Sequence, residues 1–256
     1  LISFVFATII LHAQGFDWQY SSRLPFNYPY IFAGLSGDFG YAIYDADLDL
    51  SEGKGDCCKY TSGTGLSYGF GLNGEYWLNG LWTVNIKISY STNKASFSAP
   101  GESLPFSVFD AKGKIIGHDT ASFENQMTST LNYLMFQFGT KYRLFQTHLF
   151  VGAAVEAGWL ANQKTTQTET VVSPSYFRYN DGSKKRTLGL YKISDIQDFV
   201  IIPKLLLGYD IPLVSGIYTA PYICVSFPMQ NIARDGLWSA WDFRFGLSFV
   251  RAVAYK

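Results

Sequence analysis

Charge is what this sequence has least of. Only 16% of its 256 residues are charged, against about 25% in an average soluble domain. The 20 basic and 20 acidic side chains cancel, so no bulk field recruits nucleic acid or acidic substrates. Histidine and cysteine number 3 each, too few for a disulfide framework or a spaced metal-ligand set. No run after the first residues reaches the ~20 apolar residues that a membrane helix needs. The best, Phe199 to Tyr209, is short and holds Pro203 and Lys204. Internal repeats and domain linkers are also missing.

Aromatics and glycine are abundant, with 21 Phe, 18 Tyr and 24 Gly. Residues 1–13 (LISFVFATIILHA) carry no charge apart from the weak base His12. They suit the apolar stretch of a secretory signal, with cleavage expected after Ala13 and a start that lies further upstream. Residues 14–29 then form an N-terminal periplasmic segment, and residues 30–256 the main domain.

Along that domain apolar residues recur at every second position, the signature of strands. Ile31, Ala33, Leu35, Phe39, Tyr41 and Ile43 share one phase. Leu66, Tyr68, Phe70, Leu72, Tyr76 and Leu78 form the next, then Asn79-Gly80, a tight-turn dipeptide. Trp82 to Tyr90, Leu134 to Tyr142, Leu149 to Trp159, Phe199 to Tyr209, Ile217 to Phe227 and Trp241 to Phe249 continue the pattern. That gives about eight strands, the smallest even-numbered class of closed transmembrane barrel. Connections alternate long and short: 45–64, 92–122, 161–197 and 228–240 against 79–80, 144–148 and 210–216. Long external loops and short periplasmic turns have this arrangement. Pro203 and Pro221 fall inside proposed strands, where a ladder tolerates them badly, and bulges are expected there.

Alternation leaves the outward face undecided, because a secreted lipocalin-like barrel would turn its apolar face inward. Two details favour apolar outside. The opposite phase holds Gly, Ala, Ser and isolated charges, which suit a narrow interior. Aromatics also mark both ends of the apolar phase: Tyr68 and Tyr76, Trp82 and Tyr90, Trp241 and Phe249, with Tyr142, Trp159 and Tyr209 completing two girdles. Eight residues rise ~26 Å, close to an apolar band of ~25 Å once tilt is allowed for.

The strands GLSGDFGY and GLSYGFGLNGEYWL, the closing strand WDFRFGLSF and the signal end LHAQG resemble the outer-membrane β-barrel family of Gram-negative bacteria that includes the OmpA-type membrane domain. The resemblance spans about Tyr30 to Tyr255. It implies a closed antiparallel up-and-down barrel in the cell outer membrane, in contact with lipid and lipopolysaccharide. It brings no catalytic or ligand motif.

Chemistry-bearing residues are few. Asp38, Glu75, Lys87, Lys141, Glu156, Lys204, Asp242 and Arg244 lie on the inward phase. Buried charges need partners, so an ion-paired interior is expected, with a narrow gated pore as the alternative. Cys57-Cys58 is read as a loop disulfide or an unspecialised pair, and Cys224 as an interior filler. His118, Asp119 and Ser122 would stand at the rim of a lipid-modifying enzyme, yet a triad needs spatial convergence. Lys184, Lys185 and Arg186, beside Tyr176, Phe177 and Tyr179, offer a loop tip for lipopolysaccharide phosphates or a protein partner. The expectation is a monomer without cofactor, metal or catalytic residues, whose role is structural or surface-directed.

Overall fold

A computed structural model describes residues 29–49, 59–109, 112–191, 196–214, 216–234 and 237–255. The signal stretch, the segment before residue 29 and the Cys57-Cys58 pair lie outside these residues. Ten strands follow one another: β1 (Pro29–Asp49), β2 (Lys59–Trp77), β3 (Trp82–Phe109), β4 (Ile115–Arg143), β5 (Leu149–Ser173), β6 (Lys185–Tyr191), β7 (Phe199–Tyr209), β8 (Ile211–Val214), β9 (Ile217–Ser226) and β10 (Leu237–Tyr255). The antiparallel order β1-β2-β3-β4-β5-β7-β9-β10 closes where β10 pairs with β1. Eight strands therefore make the ring. Strand β8 continues β7 beyond Asp210, and β6 lies outside the ring against β5.

Period-two alternation decides which face is which. In β4, Tyr133, Met135, Gln137, Lys141 and Arg143 are buried, while Leu134, Phe136 and Phe138 are exposed. The other ring strands repeat this inversion with apolar side chains outside, and all but β9, whose inner face is Tyr, Ala, Cys and Ser, carry charge or amide inside. In water such a surface would be strongly unfavourable, far beyond the patch size of a soluble monomer. In lipid it is the expected solution, because closure satisfies the backbone and leaves no edge. The molecule is a closed eight-stranded transmembrane barrel.

Three expectations about the connections need correction. The connections 92–122 and 161–197 are largely strand, whereas 228–240 is strand only from Leu237. Ladder pairing of β3 with β4 continues to Phe109 and Ile115, and β4 with β5 to Ser122 and Ser173. Above Tyr90, Leu134 and Trp159 the outer face changes from apolar to Lys94, Thr128, Thr130 and Asn132, so the strands leave the lipid there and continue as a projecting sheet, β3-β4-β5-β6. The short connection at 210–216 likewise contains β8. The turn falls at Asn79-Gly80 but is wider than the expected two-residue hairpin: it spans residues 78–81, neither Asn79 nor Gly80 takes a positive φ, and Asn79 Oδ1 accepts the N–H groups of Leu81 and Trp82, each at 2.8 Å.

Pro203 and Pro221 distort no register in the β5–β7 or β9–β10 ladders, where Pro203 faces Val155 and Pro221 faces Leu247. Each instead sits at a break on its other side. The β7–β9 ladder begins at Lys204, one residue after Pro203, and ends at Gly208 opposite Tyr222, one residue after Pro221. The missing N–H groups thus fall where no strand partner asks for them. Shifts in register occur elsewhere, as between Pro100 and Ser103 and between Asn132 and Tyr133.

Candidate functional site: a layered barrel interior and a projecting sheet

The barrel interior is stacked in layers. Its periplasmic end holds an aromatic floor of Phe32, Trp77, Phe150 and Tyr218. Within that floor Lys141 Nζ lies 2.5 Å from Glu75 Oε1 and 4.7 Å from the centre of the Phe150 ring. Tyr218 donates its phenol to the same Glu75 carboxylate. Arg143 stacks 3.4 Å from the centre of the Trp77 ring, pairs with Asp210 at 2.8 Å and donates to Thr83 Oγ1 at 2.8 Å.

The middle layer is charged. Asp38 takes Lys87 at 2.5 Å and Arg244 at 2.9 Å, while Arg244 Nε reaches Asp242 at 2.6 Å. Arg244 also donates to Ser91 Oγ at 3.2 Å and Asn93 Oδ1 at 3.0 Å, and Ser67 donates to Asp242 at 2.8 Å. Lys204 pairs with Glu156 at 2.5 Å. Above this layer lies an apolar plug that includes Tyr44, Tyr60, Phe97, Met127, Leu131 and Trp238, all buried.

All eight charges expected inside are buried, and the structure joins them in pairs. Arg143 and Asp210 were missed in the sequence, although each extends the inward phase of Lys141 and Lys204 by two-residue steps. Five acids then face five bases among the described residues, so the interior charge balances. Between the floor and the charged layer a polar cavity of about 30 Å³ is lined by Ser36, Asn73, Asn85 and Gln137 among others. A cavity needs about 10–15 Å³ to hold a water, so hydration there is local.

The aromatic girdle residues Tyr68, Tyr76, Trp82, Tyr90, Trp159, Tyr209, Trp241 and Phe249 are exposed on the outer face, and Tyr142 is half-buried against Trp82 at 4.8 Å between ring centres. Cys224 is a buried free thiol on the inner face. Among the described residues no group of His, Cys, Asp and Glu has the arrangement of a metal site.

The projecting sheet has its own small core. Phe106, Phe123 and Phe177 meet edge to face, and Tyr179 stacks on Phe123. The segment after β5 therefore folds back over the sheet and does not stand free as a tip. Tyr179 donates to Glu169 at 2.6 Å, and Arg186 binds the same carboxylate at 2.8 Å while lying 4.8 Å from the Tyr179 ring centre. Tyr176 remains exposed and donates to Asp119. That bond, with the Thr120 N–H, holds the Asp119 carboxyl below its ordinary range.

His118, Asp119 and Ser122 do not converge. All three lie on β4, where adjacent residues point to opposite faces. His118 Nδ1 is instead 3.3 Å from Ser107 Oγ on β3. Ser122 is four residues from His118, roughly 13 Å along a strand.

No protein-family model and no curated protein matches the chain. Among solved structures, the chain is similar to Neisserial surface protein A at 9% identity, covering 87% of this chain and 97% of that one, with a TM-score of 0.37. The attachment invasion locus protein Ail of Yersinia pestis gives 9% identity, 86% and 99% coverage and a TM-score of 0.36. The outer membrane protein AlkL gives 13%, 91% and 95%, with a TM-score of 0.41. Likenesses of this order bring no activity to this chain.

Proposed function

We propose that this protein is a monomeric barrel of the Gram-negative outer membrane whose closed body anchors a surface-directed sheet, β3 to β6, in contact with lipopolysaccharide or a protein partner. The projecting sheet carries this reading. From Tyr90, the last apolar outward residue of β3, the strand continues for 19 residues to Phe109, roughly 60 Å of chain. Extending β3 and β4 that far into water, with β5 and the short β6 beside them, serves no purpose in holding the barrel in lipid. A rigid sheet with its own aromatic core presents side chains at low entropic cost, which is what a contact surface needs.

The charged interior supports anchoring over conduction, because its charges are ion-paired, an apolar plug closes one end, and an aromatic floor threaded by two further ion pairs closes the other. The geometry of His118, Asp119 and Ser122 gives no support to a rim enzyme. The deciding experiment compares cells producing the full chain with cells producing a variant in which residues 96–128 are replaced by a short turn. Both proteins should reach the outer membrane and shift on gels when heated. Attachment of the cells to surfaces and to lipopolysaccharide-coated beads should be lost only in the variant. Equal attachment by both would overturn the surface role.

A further inference from the structure

The barrel wall has a seam. Strand β9 ends at Ser226, where it still pairs with Lys204 of β7 and Asp242 of β10. Its neighbours continue upward, β7 to Phe199 and β10 to Leu237, with no strand between them among the described residues. Residues 227–234 cross this gap. A side chain caps the free edge of β7: Gln230 Oε1 accepts the Ile201 N–H at 3.1 Å, and Gln230 Nε2 donates to the Phe199 carbonyl at 3.3 Å. The Phe227 N–H reaches the Pro203 carbonyl at 3.0 Å, and the Gln197 N–H reaches Ile232 at 2.8 Å.

Behind the seam is a cavity of about 60 Å³ whose lining comes from both faces of the wall. Val200, Ile202 and Ile232 supply its apolar side, and the Glu156–Lys204 and Asp242–Arg244 pairs close its inner end. Ile201 and Met229 line its mouth and are 40% and 74% exposed on the lipid side. Two hydroxyls in the lining, Tyr133 Oη and Ser226 Oγ, belong to residues 2% and 3% exposed and make no hydrogen bond among the described residues. A buried hydroxyl left without an acceptor is unfavourable. The plug of Tyr44, Phe97 and Trp238 closes the way from above. The mouth lies level with the outer aromatic pairs, Phe227 with Trp241 at 5.3 Å and Trp159 with Phe199 at 5.1 Å, which is where lipid headgroups meet chains.

We propose that this seam is a lateral binding site for a single-chain amphiphile of the fatty-acid kind, entering from the outer leaflet. Its carboxyl oxygens accept from Tyr133 and Ser226. The volume holds the head and the first few methylenes, and the remaining chain lies on Ile201 and Met229 in the bilayer. A plain alkane leaves both hydroxyls without an acceptor.

The test uses the full chain in phosphatidylcholine nanodiscs with dodecanoic acid carrying a diazirine beside the carboxyl. After irradiation the labelled residues are mapped by mass spectrometry. Labelling should concentrate on residues 199–203 and 226–232, be competed by unlabelled dodecanoic acid, and fall about three- to tenfold in Tyr133→Phe, as expected for one lost hydrogen bond. Ser226→Leu should fill the cavity and abolish it. If Ser226→Leu does not shift on heating and so has not folded, Tyr133→Phe decides, since it changes no shape. Labelling spread evenly around the outer face, or unchanged in Tyr133→Phe, would overturn the site and leave water as the occupant. Equal labelling by a diazirine alkane would overturn the head-group requirement.

Discussion

Arg244 connects more of the interior than any single pair does, with hydrogen bonds to Asp38, Asp242, Ser91 and Asn93. Removing it leaves Asp242 with the Ser67 hydroxyl and no cation, and Asp38 with Lys87 alone. Arg244→Leu should cost about 3–5 kcal/mol, read as a lower urea midpoint for the barrel in micelles. The Glu156–Lys204 pair gives a sharper case, because an ion pair deleted whole is often replaced at little cost. Glu156→Leu and Lys204→Met should each destabilise strongly, and the double variant by less than either. Costs that simply add would show that the two charges do not depend on each other.

Residue-scale signals also explain what the sequence revealed and what it hid. The eight interior charges are visible because each sits within an alternating run, on the phase opposite Leu, Phe and Tyr. Arg143 and Asp210 stand at strand ends, where a turn assignment conceals the same phase. Asp119 and Tyr176 are 57 residues apart, so nothing local announces their bond. Since that bond depresses the Asp119 pKa, its contribution is present above the ordinary carboxylate range of about 3.9 and is lost as pH falls through the depressed value. Carbon-detected NMR of the Asp119 carboxyl should show a higher titration midpoint in Tyr176→Phe. An unchanged midpoint would mean that the phenol does not bind there in solution.

At the scale of elements, the lipid-spanning parts of the strands were legible and their continuations were not. Period-two alternation is strong only where one face meets lipid and the other a packed interior. Above Tyr90 and Leu134 both faces carry polar residues, so segments such as Ser98–Phe109 read as loop although they remain paired. The prolines mislead in a related way. They signal an interruption in pairing, which is present, but it lies between β7 and β9 as a gap and not as a bulge. Gln230 stands in for a strand at that gap. Gln230→Ala should therefore speed hydrogen exchange of the Ile201 amide by roughly tenfold, about the value of one hydrogen bond, while amides in the β4–β5 ladder keep their protection. Equal protection at Ile201 would show that main chain from residues 227–234 can cap the edge unaided.

For the whole molecule, the order of the layers matters more than their content. A charged lumen in an eight-stranded barrel suggests ion passage until its ends are considered. Here the Asp38–Arg244–Asp242 layer lies between an aromatic floor and an apolar plug, and the lumen of a barrel this size is wide enough only for side chains. An ion crossing it would have to break several buried pairs and then traverse Phe32, Trp77 and Tyr218 without hydration. Planar bilayers holding the refolded full chain should show no stepwise conductance in concentrated KCl. Trp238→Ala, which opens only the upper plug, should stay silent because the floor is intact. The Trp238→Ala variant must still shift on heating for its silence to count. Stable conductance steps in the unmodified protein would mean that the paired interior rearranges in the membrane, and would turn the barrel from an anchor into a pore.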